Sequence, residues 1–178
     1  MTKNIKRLTL SAMFLALGLV LPFLTGQVPQ IGNMLLPMHI PVLLCGLICG
    51  WPYGLIVGII TPLLRCILFG MPPFYPNALG MAFELATYGA VIGIAYHRFA
   101  LKGLVRIYAS LTTAMIAGRI VWGLARVIML GLGNTPFGWQ MFLSGAFLTA
   151  IPGIILQLVL IPILMFALER ARVLPIDR

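Results

Sequence analysis

Charged side chains are scarce in this chain. They make up 8% of its 178 residues, and only three are acidic: Glu84, Glu169 and Asp177. An ordinary soluble domain carries about a quarter charged residues, so the outside of this protein is not built to face water alone. The motifs of nucleotide and metal chemistry are missing as well. There is no Gly-x-x-x-x-Gly-Lys-Ser/Thr phosphate loop and no His-Glu-x-x-His, and no serine or cysteine stands beside a base. Glu84 has no second carboxylate near it, which argues against paired acid–base catalysis. The three cysteines, Cys45, Cys49 and Cys66, lie in apolar runs without His or Asp at ligand spacing and read as small packing residues. The chain is therefore not expected to be an enzyme, to hold a metal or cofactor, or to hydrolyse ATP itself.

Apolar residues fill the space instead, at 61% of the chain. A protein of this size cannot hide that much apolar surface from water, whereas lipid removes the conflict. A membrane span takes about 20 apolar residues, so six spans with short loops use the length. The expected class is all-α: one six-helix transmembrane domain over residues 1–178, with both termini cytoplasmic. Helices are placed at about 6–24, 36–50, 53–70, 78–97, 104–131 and 139–170. The second is short for a span, which predicts tilting, a break or shielding by protein. Gly70-Met-Pro-Pro-Phe-Tyr-Pro-Asn77 cannot remain helical with its prolines so close together.

The formal charge of +9 raises the question of nucleic acid, and position answers it. Lys3, Lys6 and Arg7 precede the first apolar run, Arg98, Lys102 and Arg106 share one connection, and Arg170, Arg172 and Arg178 close the chain. These are flanking clusters of the positive-inside kind, and the expected partner is the bilayer of the cell membrane, not nucleic acid. The loops at 25–35, 70–77 and 131–138 contain no Lys, Arg, Asp or Glu and fall outside. The basic start and the run Leu8–Leu24 look like a signal peptide, but no convincing small-x-small cleavage site follows, so a retained first helix is expected. Glycines at four-residue spacing, Gly46, Gly50, Gly54 and Gly58, then Gly89 and Gly93, predict close helix packing, in the first series between helices 2 and 3.

Four ionisable residues remain inside the spans: Arg65, Glu84, Arg119 and Arg126. Each costs about 2.5–3.5 kcal/mol near a helix centre and needs a partner, water or a ligand. Arg119, Trp122 and Arg126 make one stripe on helix 5, and Asn77, Met81, Glu84 and Tyr88 another on helix 4. Thr61 and Arg65 share a face of helix 3, and Gln157 places an amide within helix 6. Together they predict an outward-opening pocket lined by helices 3–6, covered by loops that carry Gln27, Gln30, Asn33, Tyr75 and Asn77. Two readings stand. The charges form a buried network that fixes helix register, or they hold a ligand. Three arginines against one glutamate leave a cation without an internal counter-charge, which favours an anionic ligand. His39 lies near the outer start of helix 2, where a hydrogen-bonded structural role is the more ordinary one. Trp122 and Tyr88 suit ligand stacking or apolar packing equally.

The whole pattern resembles the substrate-binding S components of energy-coupling factor (ECF) vitamin transporters, in the branch with the riboflavin, folate and pantothenate subunits. The match covers length, six spans, the basic N-terminus and the outward polar pocket. Locally it rests on Ala12-Met-Phe-Leu-Ala16, which looks like the family's Ala-x-x-x-Ala motif, on Leu36-Pro-Met-His-Ile-Pro-Val-Leu-Leu-Cys-Gly46, and on Gly70-Met-Pro-Pro-Phe-Tyr-Pro-Asn77 followed by Met81-Ala-Phe-Glu-Leu-Ala86. The resemblance implies capture of a vitamin from outside and docking through Ala12 and Ala16 on a scaffold membrane subunit coupled to two cytoplasmic ATPases. It implies a substrate site among Arg126, Glu84, Asn77, Arg119, Trp122, Arg65, Tyr88, Tyr75 and His39. Excess positive charge puts pantothenate first, its carboxylate on Arg126 or Arg119 and its hydroxyl or amide groups on Glu84 and Asn77. Pyridoxine or a hydroxymethylpyrimidine is the neutral rival, and a solitary permease or channel the alternative outside this class.

Overall fold

A computed structural model describes residues 3–25, 34–131 and 150–170. The described residues form six α-helices and no strand: α1 (Lys3–Val20), α2 (His39–Cys49), α3 (Trp51–Phe69), α4 (Leu79–Arg98), α5 (Gly103–Gly131) and α6 (Ile151–Arg170). A 3-10 turn, Leu21–Thr25, extends α1, and a π-type turn, Phe74–Ala78, leads into α4. Five of these segments are long and apolar enough to cross a membrane. The loop residues Gln27, Gln30 and Asn33, the 132–138 connection and residues 139–149 of the expected sixth helix lie outside the described residues.

The exception in length is α2. Its eleven residues rise only about 16 Å, against a hydrocarbon core of about 30 Å. It packs against α1, α3, α4 and α6, and every residue but Ile48 is buried, so protein shields it from lipid. Gly50 then reverses the chain at φ +97°, a backbone angle that suits a residue without Cβ, and Pro52 sits in the first turn of α3, where a missing N–H costs nothing. Where α3 ends, Gly70 adopts φ +69° and donates its N–H to the Cys66 carbonyl, a left-handed cap.

Close packing at the glycines involves three helices. A Cβ built on Gly89 would stand 2.2 Å from the Gly54 carbonyl oxygen, and one on Gly46 would stand 2.5 Å from that of Gly89. Gly93 meets the backbone of Trp51 in the same way. The series in α2 and α3 therefore packs α2 on α3 and both on α4, backbone against backbone, which leaves α4 no freedom to rotate. This fixes the direction in which Glu84 points.

Helix direction alternates through the bundle, and the polar residues sort with it. Lys3, Lys6, Arg98, Lys102 and Arg170 are all exposed and lie at the end that carries the α2–α3 and α4–α5 turns. The opposite end carries the close of α1, α3 and α5 and the start of α4 and α6.

Candidate functional site

Helices α4 and α5 run antiparallel along one seam, and the two polar stripes meet across it. At the outer level the Tyr75 hydroxyl donates to the Met129 carbonyl, and Arg126 Nη2 donates to Asn77 Oδ1 at 2.6 Å. The Arg126 guanidinium also lies over the Trp122 ring, 5.3 Å from its centroid. A Cβ built on Gly80 would stand 3.5 Å from Arg126 Nε, in ordinary van der Waals contact. Two turns deeper, Arg119 Nη1 stands 2.9 Å from Glu84 Oε1, with both side chains almost fully buried. Below that, the Tyr88 ring lies against Gly118, where a Cβ would sit 2.0 Å from the ring.

A third helix reaches the inner level. His39, the first residue of α2 and 1% exposed, places Nε2 at 3.6 Å from the same Glu84 oxygen and its ring edge-on to Tyr88, 5.3 Å between centroids. A fourth lies beside it: Gly153 packs on the backbone of Met34 and Leu35, just before α2, and Gln157 is one turn further along the same face of α6. Gln157 is fully buried.

Charge divides unequally between the levels. Glu84 pairs directly with Arg119, whereas the half-buried Arg126 feels Glu84 only at longer range and, among the described residues, donates its hydrogen bond to the neutral amide of Asn77. Several buried polar atoms have no hydrogen-bond partner among the described residues: both ring nitrogens of His39, Nε and Nη2 of Arg119, Nε of Arg126, and both amide atoms of Gln157. Buried polar groups are ordinarily paired, and so many unpaired on neighbouring elements make this group the candidate site.

Arg65 is not brought to this group. Its Nη1 donates to the Leu19 carbonyl at 2.6 Å, and its guanidinium lies near the rings of Phe23 and Phe69, at 5.0 and 5.4 Å. Thr61 meets Gly18 on the same side. The face of α3 that these two residues share turns toward α1, and its arginine anchors a carbonyl at the end of that helix. The polar group is thus built by α2, α4, α5 and α6, with α2 taking the place expected of α3. Tyr75 is half-exposed at the rim, while Trp122 and Tyr88 are buried. Gln157 stands out in the sequence only as an amide in an apolar helix, and the packing of Gly153 is what brings its face of α6 beside the start of α2. Elsewhere, Ala12 and Ala16 lie exposed on α1 together with Leu8, Met13, Leu17 and Val20. No metal-binding group of His, Cys, Asp or Glu occurs among the described residues.

No curated protein and no solved structure matches the chain. A family model described as "ECF transporter, substrate-specific component" matches residues 6–165. Members of that family are transport-binding subunits, not enzymes. Coverage of nearly the whole length, an all-helical fold with five long apolar helices, and a buried polar group reached by four of the six helices agree with one another. The chain belongs to the family of substrate-specific components of ECF transporters.

Proposed function

We propose that this subunit captures a compact, acidic, water-soluble vitamin, with pantothenate first, on the side opposite the basic ends. The supporting observation is the unequal charge of the α4–α5 seam: Arg119 pairs directly with Glu84, and Arg126 has no carboxylate in direct contact among the described residues. A ligand carboxylate at Arg126 completes the balance, and a guanidinium matches it with a two-pronged, charge-assisted contact. Trp122 holds the guanidinium plane, and Asn77 and Tyr75 form the rim. In this reading the basic clusters of α1, the α4–α5 connection and α6 face the cytoplasm of the cell membrane. The exposed Ala12–Ala16 face of α1 docks on a scaffold membrane subunit, which two cytoplasmic ATPases drive; small residues allow a partner helix to approach. The whole chain acts as one six-helix domain.

Isothermal titration of the purified protein tests the ligand. Pantothenate should bind, Arg126→Ala should weaken it at least tenfold, and Arg126→Lys should restore only part of the loss, because an ammonium keeps the charge but not the fork. Wild-type affinity in Arg126→Ala, or no pantothenate binding at all, refutes the acidic-ligand reading and puts pyridoxine or a hydroxymethylpyrimidine in its place.

A further inference from the structure

The inner level of the seam has a chemistry different from that of the outer level. Arg119 spends one nitrogen, Nη1, on Glu84 and leaves Nε and Nη2 unpartnered. Those two N–H groups form the side edge of a guanidinium, and they point the same way. With Glu84 beside it the local charge is zero, so a second carboxylate arriving there would face Glu84 as well as Arg119. A neutral acceptor such as a hydroxyl oxygen meets the donors without that repulsion. Gln157 offers one donor group and one acceptor, the complement of an amide or a hydroxyl, and His39, whose Nε2 stands toward Glu84, offers Nδ1. All three side chains are at least nine-tenths buried and carry unpartnered polar atoms.

We propose that Arg119, Gln157 and His39 form a second subsite that takes the uncharged, hydrogen-bonding end of the ligand, its hydroxyl groups. The proposal rests on the acidic-ligand reading for the other end, at Arg126. Arg119 and Arg126 are seven residues apart on α5, about 10 Å along its axis. The seam therefore measures its ligand, with an acid at one end and hydroxyl groups about 10 Å away. A shorter acid leaves the inner donors unpaired, and a ligand with acids at both ends meets Glu84.

The test separates the two levels with probes and variants. Wild type, Gln157→Leu, His39→Phe and Arg126→Ala are titrated with pantothenate, with pantothenol, in which an alcohol replaces the acid, and with pyridoxine. Leucine is close to glutamine in size, and phenylalanine retains the edge contact with Tyr88, so either variant serves if the other fails to fold. Gln157→Leu and His39→Phe should each weaken pantothenate and pantothenol about tenfold and leave their ratio unchanged. Arg126→Ala should bring that ratio to about one. If both inner variants bind both probes like wild type, the inner subsite is overturned while the acidic reading stands. If wild type binds pyridoxine and not pantothenate, and Gln157→Leu weakens it tenfold, the acidic reading falls and the inner subsite stands. Failure of the wild type to bind any of the three overturns both.

Discussion

Removing the charge of Glu84 while keeping its shape is the most informative single change. In Glu84→Gln the amide loses the ion pair with Arg119 at 2.9 Å, where both side chains are almost fully buried. At that distance the Coulomb attraction is about 6 kcal/mol for an effective dielectric constant of about 20. Desolvation offsets part of this, and breaking one side of a buried pair typically costs about 3–5 kcal/mol, because an uncompensated charge stays behind. For a chain of this length that is a fall in melting temperature on the order of 10 °C, read by thermal unfolding in detergent without ligand. Adding Arg119→Met to Glu84→Gln should recover most of the loss, since the stranded cation goes too. Ligand binding moves the other way. With Arg119 no longer neutralised, pantothenate affinity should hold or tighten, and saturating ligand should raise the melting temperature more in Glu84→Gln than in wild type. A single variant that melts with the wild type refutes the buried-pair argument. One that melts lower but binds pantothenate more weakly shows Glu84 accepting hydrogen bonds from the ligand instead.

Cysteine at exposed Phe74 should label from outside intact cells with a membrane-impermeant thiol reagent, and cysteine at Lys102 should not; the reverse overturns the orientation. Tryptophan at both Ala12 and Ala16 should abolish uptake in cells while titration shows ligand binding intact, because those positions lie exposed on α1, away from the α4–α5 seam; unchanged uptake refutes docking through this face. Gly89→Ala should destabilise the protein by at least 1–3 kcal/mol, since its Cβ falls 2.2 Å from a backbone oxygen of α3 that cannot rotate aside; thermal unfolding reads it.

The two polar stripes were legible because a 3.6-residue period fixes which residues share a face, and a short basic connection makes α4 and α5 antiparallel neighbours. Their pairing was not legible. Glu84 sits within reach of either arginine when the register of the two helices is unknown, and two turns of sliding exchange Arg119 for Arg126. The register comes from Gly118 receiving the Tyr88 ring, a contact that depends on shape and not on periodicity. Thr61 and Arg65 share a face as expected, yet sequence spacing says nothing about which neighbour that face meets, and here it meets α1. The glycine series showed close approach without naming the third helix, because Gly89 and Gly93 gain their meaning only opposite Gly54 and Trp51.

The short second helix links the fold to the site. Because α2 begins only at His39, its first turn stands inside the bundle and not at the membrane surface. The His39 N–H is taken by the Leu36 carbonyl, and the His39 ring, on the first helical residue, stands 3.6 Å from Glu84. The Glu84 carboxylate is thus held from two directions, by Arg119 of α5 and by the start of α2, without drawing on Arg126. The start of α2 thus helps keep the Glu84 carboxylate occupied alongside its pairing with Arg119, and under the proposed function the outer guanidinium is the one that meets an anion.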